Sequence, residues 1–144
     1  MAQVSTYLVF NGTTDAAFEF YKSVFGTEYT AGPTRFRDIP VSDDYPGPSD
    51  EEKDLIINVQ LPILGGHLLQ GTDSPEAMGG VTQGNNVNIA LLPDTRGDAQ
   101  RLFSALSAGG QVEMDLQEMF WGGYYGSCTD KFGIHWMINT DSRD

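Results

Sequence analysis

At 144 residues and 40% apolar, the chain suits one domain with a true core and is not a disordered polypeptide. Eight Lys and Arg against twenty Asp and Glu give a net charge of −12, which argues against nucleic acid or an anionic membrane as partner. A single cysteine, Cys128, excludes an internal disulfide framework and a cysteine zinc cage, and fits a reducing cytoplasm.

In chain order, "MAQVSTYLVF" has no basic start and no long apolar run, so neither a signal peptide nor a membrane span is expected. "STYLVF" alternates as a short strand. "TTDAAFEFYKSVFG" follows, with Thr13 and Thr14 placed to cap a helix that shows Ala17, Phe20, Tyr21, Val24 and Phe25 on one face and stops at Gly26. Strand-like runs come next: "EYTAGPTRF", "LIINVQLPI" and "GGHLLQG". Between the first two lies "DIPVSDDYPGPSDEEKD" (residues 38–54), with seven carboxylates and three prolines. It reads as a solvated loop. Its spacing is not that of an EF-hand, which leaves a calcium site as the weaker alternative.

After "SPEAMGGVTQGNN" the plan repeats. "VNIALL" alternates, Asp94 and Thr95 precede a helix showing Ala99, Leu102, Phe103 and Leu106, and Gly109 and Gly110 end it. The runs "QVEMDLQEMF", "GYYGSCTD" and "GIHWMIN" follow. An offset of 82 residues lays Ala17, Tyr21 and Val24 on Ala99, Phe103 and Leu106. The fold class is therefore α+β. Two βαβββ modules, 1–75 and 86–144, flank a linker at 76–85 within one domain of 1–144. Each module has one helix to cover one sheet face, so a curved mixed sheet with helices outside and a concave cleft inside is expected.

This plan resembles the vicinal-oxygen-chelate superfamily, which holds glyoxalase I, extradiol dioxygenases, and bleomycin and fosfomycin resistance proteins. "FNGTTDAAFEFYKSVFG" and "EMFWGGYYGSCTDKFGIHWMIN" are similar to its PhnB-like branch. The resemblance implies a dimer and a divalent metal held by His, Gln or Glu from the first and last strands of each half. The matching positions here are Thr6, Gln70, Asn88 and Met137, with Ser5 replacing Thr6 if a gap falls in the turn. Only Gln70 is a plausible strong donor, so no metal and no other cofactor is expected.

The last strand puts Ile134, Trp136 and Ile138 under the helix and His135, Met137 and Asn139 on the other face. Val87, Ile89 and Leu91 fall on the helix side of the matching first strand, and Asn86, Asn88 and Ala90 on the cleft side. His135 is the candidate catalytic base, against a structural histidine bonded to a strand neighbour. Trp121, Tyr124 and Tyr125 in "MFWGGYYG" read as a pocket wall or a rigid hairpin, and Glu118 as a cleft acid or a solvated strand end. Asp130 reads as a turn anchor and Cys128 as a buried thiol. No P-loop, GxGxxG, GxSxG or HExxH is present. The leading expectation is a metal-independent, cytoplasmic, homodimeric protein that binds a small molecule through Thr6, Gln70, Asn88, Met137, Asn139, Trp121, Tyr124, Tyr125 and Glu118. The alternatives are an enzyme using His135 (lyase, isomerase or transferase) and a structural or regulatory dimer with a filled cleft.

Overall fold

The computed structural model describes residues 1–144 and divides into two compact units, Met1–Thr82 and Gln83–Asp144. The expected linker is shared between them: Glu76–Met78 is a 3₁₀ turn of the first unit, and Gln83 and Gly84 belong to the second. Each unit has its own open four-stranded mixed sheet and one twelve-residue helix.

In the first unit, β1 (Thr6–Phe10), β2 (Ala31–Arg35), β3 (Ile56–Pro62) and β4 (Leu68–Asp73) lie in the order β1-β4-β3-β2. The β1–β4 pair is parallel and the others antiparallel. Helix α1 (Thr14–Phe25) makes the crossover between β1 and the rest of the sheet. It buries Thr14, Ala17, Phe18, Tyr21 and Val24 against that sheet. Phe18 is in this set and Phe20 and Phe25, expected on the same face, are only half-buried, because the stripe that includes Thr14 is rotated around the helix toward Phe18. The helix ends at Gly26, whose φ of 65° supplies the left-handed C-cap.

The second unit repeats the plan. β5 (Ile89–Leu91), β6 (Gln111–Glu118), β7 (Tyr124–Thr129) and β8 (His135–Thr140) lie in the order β5-β8-β7-β6. Helix α2 (Arg96–Ser107) buries Ala99, Leu102, Phe103 and Leu106, the four residues its periodicity selects. Thr95 caps it by accepting the N–H of Asp98 at 3.0 Å. No helix in the chain is long and apolar enough to cross a membrane.

The helix-side faces form the cores. Leu8, Phe10, Val59, Leu61 and Leu69 lie in the first unit and Leu91, Cys128, Trp136 and Ile138 in the second, all at most 9% exposed. Trp136 and Ile138 thus sit under the helix as their alternation requires, while Val87 lies outside β5 and is 74% exposed. Residues 38–54 form a mostly exposed loop whose end is tied back to the residue before its start by Arg37–Asp54 at 2.8 Å.

Candidate functional site

Strand register decides which candidate residues share a face. In a parallel or antiparallel pair, directly opposed residues project to the same side. Opposite Thr6 in β4 is Leu69, so Thr6 shares the core side with Leu8 and Phe10. Its hydroxyl lies 2.9 Å from His67 Nε2. This corrects the placement of Thr6 on the cleft face. The 82-residue offset is right for the helices but one short for the first strands, because the segment leading into α2 lacks a residue present before α1.

Gln70 pairs with Tyr7 and projects from the helix-free face. Its amide donates to Ser5 Oγ at 2.7 Å and accepts from Gln60 Nε2 at 3.3 Å. Ser5, Gln70 and Gln60 thus form a hydrogen-bonded row of uncharged groups. Sequence pattern alone does not single out Gln60; its register opposite Gln70 across β3–β4 brings it in.

The helix-free face of the second unit gathers more of the candidates. Met137 pairs with Ala90 on one side and Ser127 on the other, and Asn139 pairs with Tyr125. Asn88 lies just before β5 and is exposed. Trp121, in the β6–β7 turn, sits 6.3 Å ring to ring from Tyr125 at 70°, and Phe120 lies 5.1 Å from Trp121. Gly123 permits this arrangement. A Cβ there would collide with Trp121 Nε1 and lie 2.9 Å from Asn139 Oδ1. Asn139 Oδ1 is buried and has no hydrogen-bond partner in the chain. A stranded buried amide oxygen costs about 1–3 kcal/mol, so each such atom calls for an explanation.

His135 is on the same face, and both of its ring nitrogens are engaged. Nε2 donates to the Gly84 carbonyl at 3.1 Å, since a carbonyl only accepts. Nδ1 lies 2.8 Å from Thr129 Oγ1 and 3.4 Å from Glu113 Oε1, and the Thr129 hydroxyl also contacts Glu113. Thr129 faces His135 across the β7–β8 hairpin. That pairing follows from centring the hairpin on "DKFGI", a signal that residue-by-residue reading passes over.

Tyr124 and Glu118 belong elsewhere. They oppose each other across β6–β7 and project toward α2. There Arg96 pairs with Glu118 at 3.2 Å and stacks over the Tyr124 ring at 4.7 Å, while Gln100 donates to the Tyr124 hydroxyl at 3.0 Å. Both are corrected from cleft residues to helix-packing residues, because "YY" puts one ring on each face and the helix takes the first. Cys128 also faces the core, where burial, then Asp130 and Glu113, push its thiol up to about 11.

The donor set does not suit a divalent ion. The implied positions offer a hydroxyl (Ser5), amides (Gln70, Asn88) and a thioether (Met137), and the Gln70 amide is already engaged by its neighbours. No three His, Cys, Asp or Glu side chains converge as metal ligands anywhere in the chain.

A model of the Glyoxalase/Bleomycin resistance protein/Dioxygenase superfamily matches residues 3–138. Protein YjdN of Escherichia coli (strain K12) is 28% identical over 141 residues, covering 94% of this chain and 93% of its own. The crystal structure of protein PA1353 from Pseudomonas aeruginosa matches with a TM-score of 0.82 at 34% identity, covering 97% of this chain and 98% of that one. A putative 3-demethylubiquinone-9 3-methyltransferase, PhnB protein, from Bacillus cereus matches with a TM-score of 0.71 at 19% identity, covering 96% and 99%, a likeness of fold.

Proposed function

The chain belongs to the glyoxalase/bleomycin resistance protein/dioxygenase superfamily, and from that premise we propose that it binds a small organic molecule without a divalent metal. One observation carries the reading. The helix-free sheet faces present amide, hydroxyl, thioether and aromatic groups at and around the positions where the family resemblance implies metal ligands. Such groups orient and cover an uncharged ligand, and they are poor Lewis-acid cradles. The engaged ring of His135 weighs against the enzyme alternative. Nδ1, the nitrogen a base would use when Nε2 carries the proton, lies against the Thr129 hydroxyl at 2.8 Å and Glu113 at 3.4 Å rather than open to a substrate.

A homodimer belongs to the same proposal. β6 is an edge strand of eight residues, with Val112 41% and Met114 39% exposed on it, which suits pairing with a second chain. The reducing cytoplasm is the proposed setting, in keeping with the buried free thiol of Cys128.

The test is a thermal-shift screen of the purified chain against Zn²⁺, Mn²⁺, Ni²⁺ and Fe²⁺ and against a library of neutral aromatic and heteroaromatic compounds. The melting temperature is expected to be unmoved by the ions and raised by members of the organic set. Stabilisation by an ion, lost when Gln70 is replaced by Ala, overturns the metal-free reading. A flat response to the whole organic set overturns the binding reading.

A further inference from the structure

We infer that the patch over Gly123, bounded by Trp121, Tyr125 and Asn139, takes a flat, neutral aromatic molecule that carries one N–H or O–H donor. This rests on the binding reading above and names the ligand class and the group that selects it.

Four observations converge. Asn139 Oδ1 is buried on the helix-free face and lacks a partner, so a hydrogen-bond acceptor is built into the site and unused by the chain. The indole of Trp121 shares with it the space over Gly123, where no side chain fits. Trp121 and Tyr125 meet edge to face at 6.3 Å, the geometry in which one ring's edge meets another's π-surface, and a planar ligand extends such a cluster. The cover is wet on its outer side: Phe120 is 97% and Trp121 52% exposed, on a turn whose Gly122 has φ +94°. A half-exposed ring on such a turn can swing away from Gly123 and admit a ligand between itself and Tyr125 and Asn139.

Charge points the same way. The residues in register with this patch, Gln117, Tyr125 and Asn139, are uncharged. The nearby Glu118 and Arg96 face α2 and pair with each other. An ion placed here would find no counter-charge, whereas a neutral ring loses little on leaving water. The ligand's donor satisfies Asn139 Oδ1, and its ring replaces water against Trp121 and Tyr125.

Indole and 1-methylindole provide matched probes, since they share a ring system and differ in the donor. Binding is read by titration calorimetry and by NMR shifts of the Asn139 side-chain amide and the Trp121 indole N–H. Indole is expected to bind about tenfold more tightly than 1-methylindole, the weight of one hydrogen bond to a buried acceptor. Asn139→Leu should bring that ratio to about one while the melting curve stays cooperative. Trp121→Ala should weaken both probes about equally. Gly123→Ala, whose Cβ would crowd both the Trp121 indole and Asn139 Oδ1, should weaken both as well. The inference is overturned if neither probe binds up to its solubility limit, or if the ratio survives Asn139→Leu. If an organic ligand from the screen binds but shifts only Ser5, Gln60 and Gln70, this site is wrong and the broader binding reading stands.

Discussion

Asp73 caps the helix that begins at Thr14, although 59 residues separate the two. Its Oδ1 accepts the N–H groups of Gly12 and Thr14 at 3.0 and 3.1 Å and the Thr14 hydroxyl at 2.7 Å. Its Oδ2 accepts the N–H of Ile56 at 2.9 Å, so one carboxylate at the end of β4 joins the start of α1 to the start of β3. The carboxylate is buried, and it meets the positive end of the helix dipole. Asp73→Ala strands these donors and is expected to lower the unfolding free energy by about 3 kcal/mol, with Asp73→Asn losing less. Equilibrium urea denaturation measures it; a loss below about 1 kcal/mol for the alanine variant sinks the claim.

The helix-to-sheet distance in each unit depends on a glycine beneath an aromatic ring. A Cβ at Gly71 would run into the Phe18 ring, and one at Gly126 would fall 2.9 Å from the Phe103 ring and from the Leu116 Cα. Phe18 is fully buried and Phe103 nearly so, so the rings have little room to retreat. Gly71→Ala and Gly126→Ala should each destabilise by about 1–3 kcal/mol, the cost of overpacking a filled core. The same denaturation experiment reads this. Neutral effects at both positions refute the packing account.

Both units are legible in the sequence because helix and strand periods differ, and each core is written in one of them. The α2 stripe of Ala99, Leu102, Phe103 and Leu106 and the β8 alternation of Trp136 and Ile138 appear in the structure as spaced. What the sequence hides depends on contacts distant in the chain. Thr13 has the residue type of an α1 cap, yet its side chain makes no cap bond and Asp73 takes that role. Thr6 falls on the other face from the one its offset suggests, because a one-residue gap in a turn reverses the parity of a strand, and Ser5, the alternative that such a gap selects, is the residue that bonds Gln70. Tyr124 and Glu118 lie off the helix-free face because Arg96, at the start of α2, draws them to the helix side, and that pairing has no local signature. Alternation alone is enough to put His135 and Asn139 on the face opposite Trp136, but the partners of His135 become visible only in the folded hairpin.

Cys128 gives a pH dependence with a definite sign. Burial, Asp130 and Glu113 raise its thiol from 9.0 to about 11 in the folded chain. The unfolded chain therefore loses this proton first as pH rises. Between about pH 9 and 11 the unfolded state binds fewer protons than the native state, so stability falls with rising pH. The fall is at most about 3 kcal/mol, because each tenfold difference in proton affinity between the two states is worth about 1.4 kcal/mol. Below about pH 8 the thiol contributes no slope. Urea midpoints at about pH 8, 9, 10 and 11 for the native chain and for Cys128→Ala should diverge, with the alanine variant falling less. Iodoacetamide should also label native Cys128 slowly at about pH 8 and quickly in about 6 M guanidinium, strong enough to unfold most domains. Parallel midpoints, or fast labelling of the folded chain, contradict this.

The His135 ring holds the start of the second unit in place. Its Nε2 grips the Gly84 carbonyl, and Gln83 Nε2 donates to the Phe132 carbonyl at 3.2 Å, so two bonds fasten the chain entering the second unit to the β7–β8 hairpin. Thr129 and Glu113 steady the ring from the other side. His135→Ala should loosen residues 83–86 and raise their amide exchange about tenfold, the effect of losing one partly buried hydrogen bond. Exchange in α2 and in the strand centres should change little. His135→Gln, which keeps a donor, should restore part of the protection. Hydrogen exchange followed by mass spectrometry resolves these peptides. If exchange at 83–86 is unchanged in His135→Ala, the ring is not a fastener and the catalytic reading of His135 regains its place.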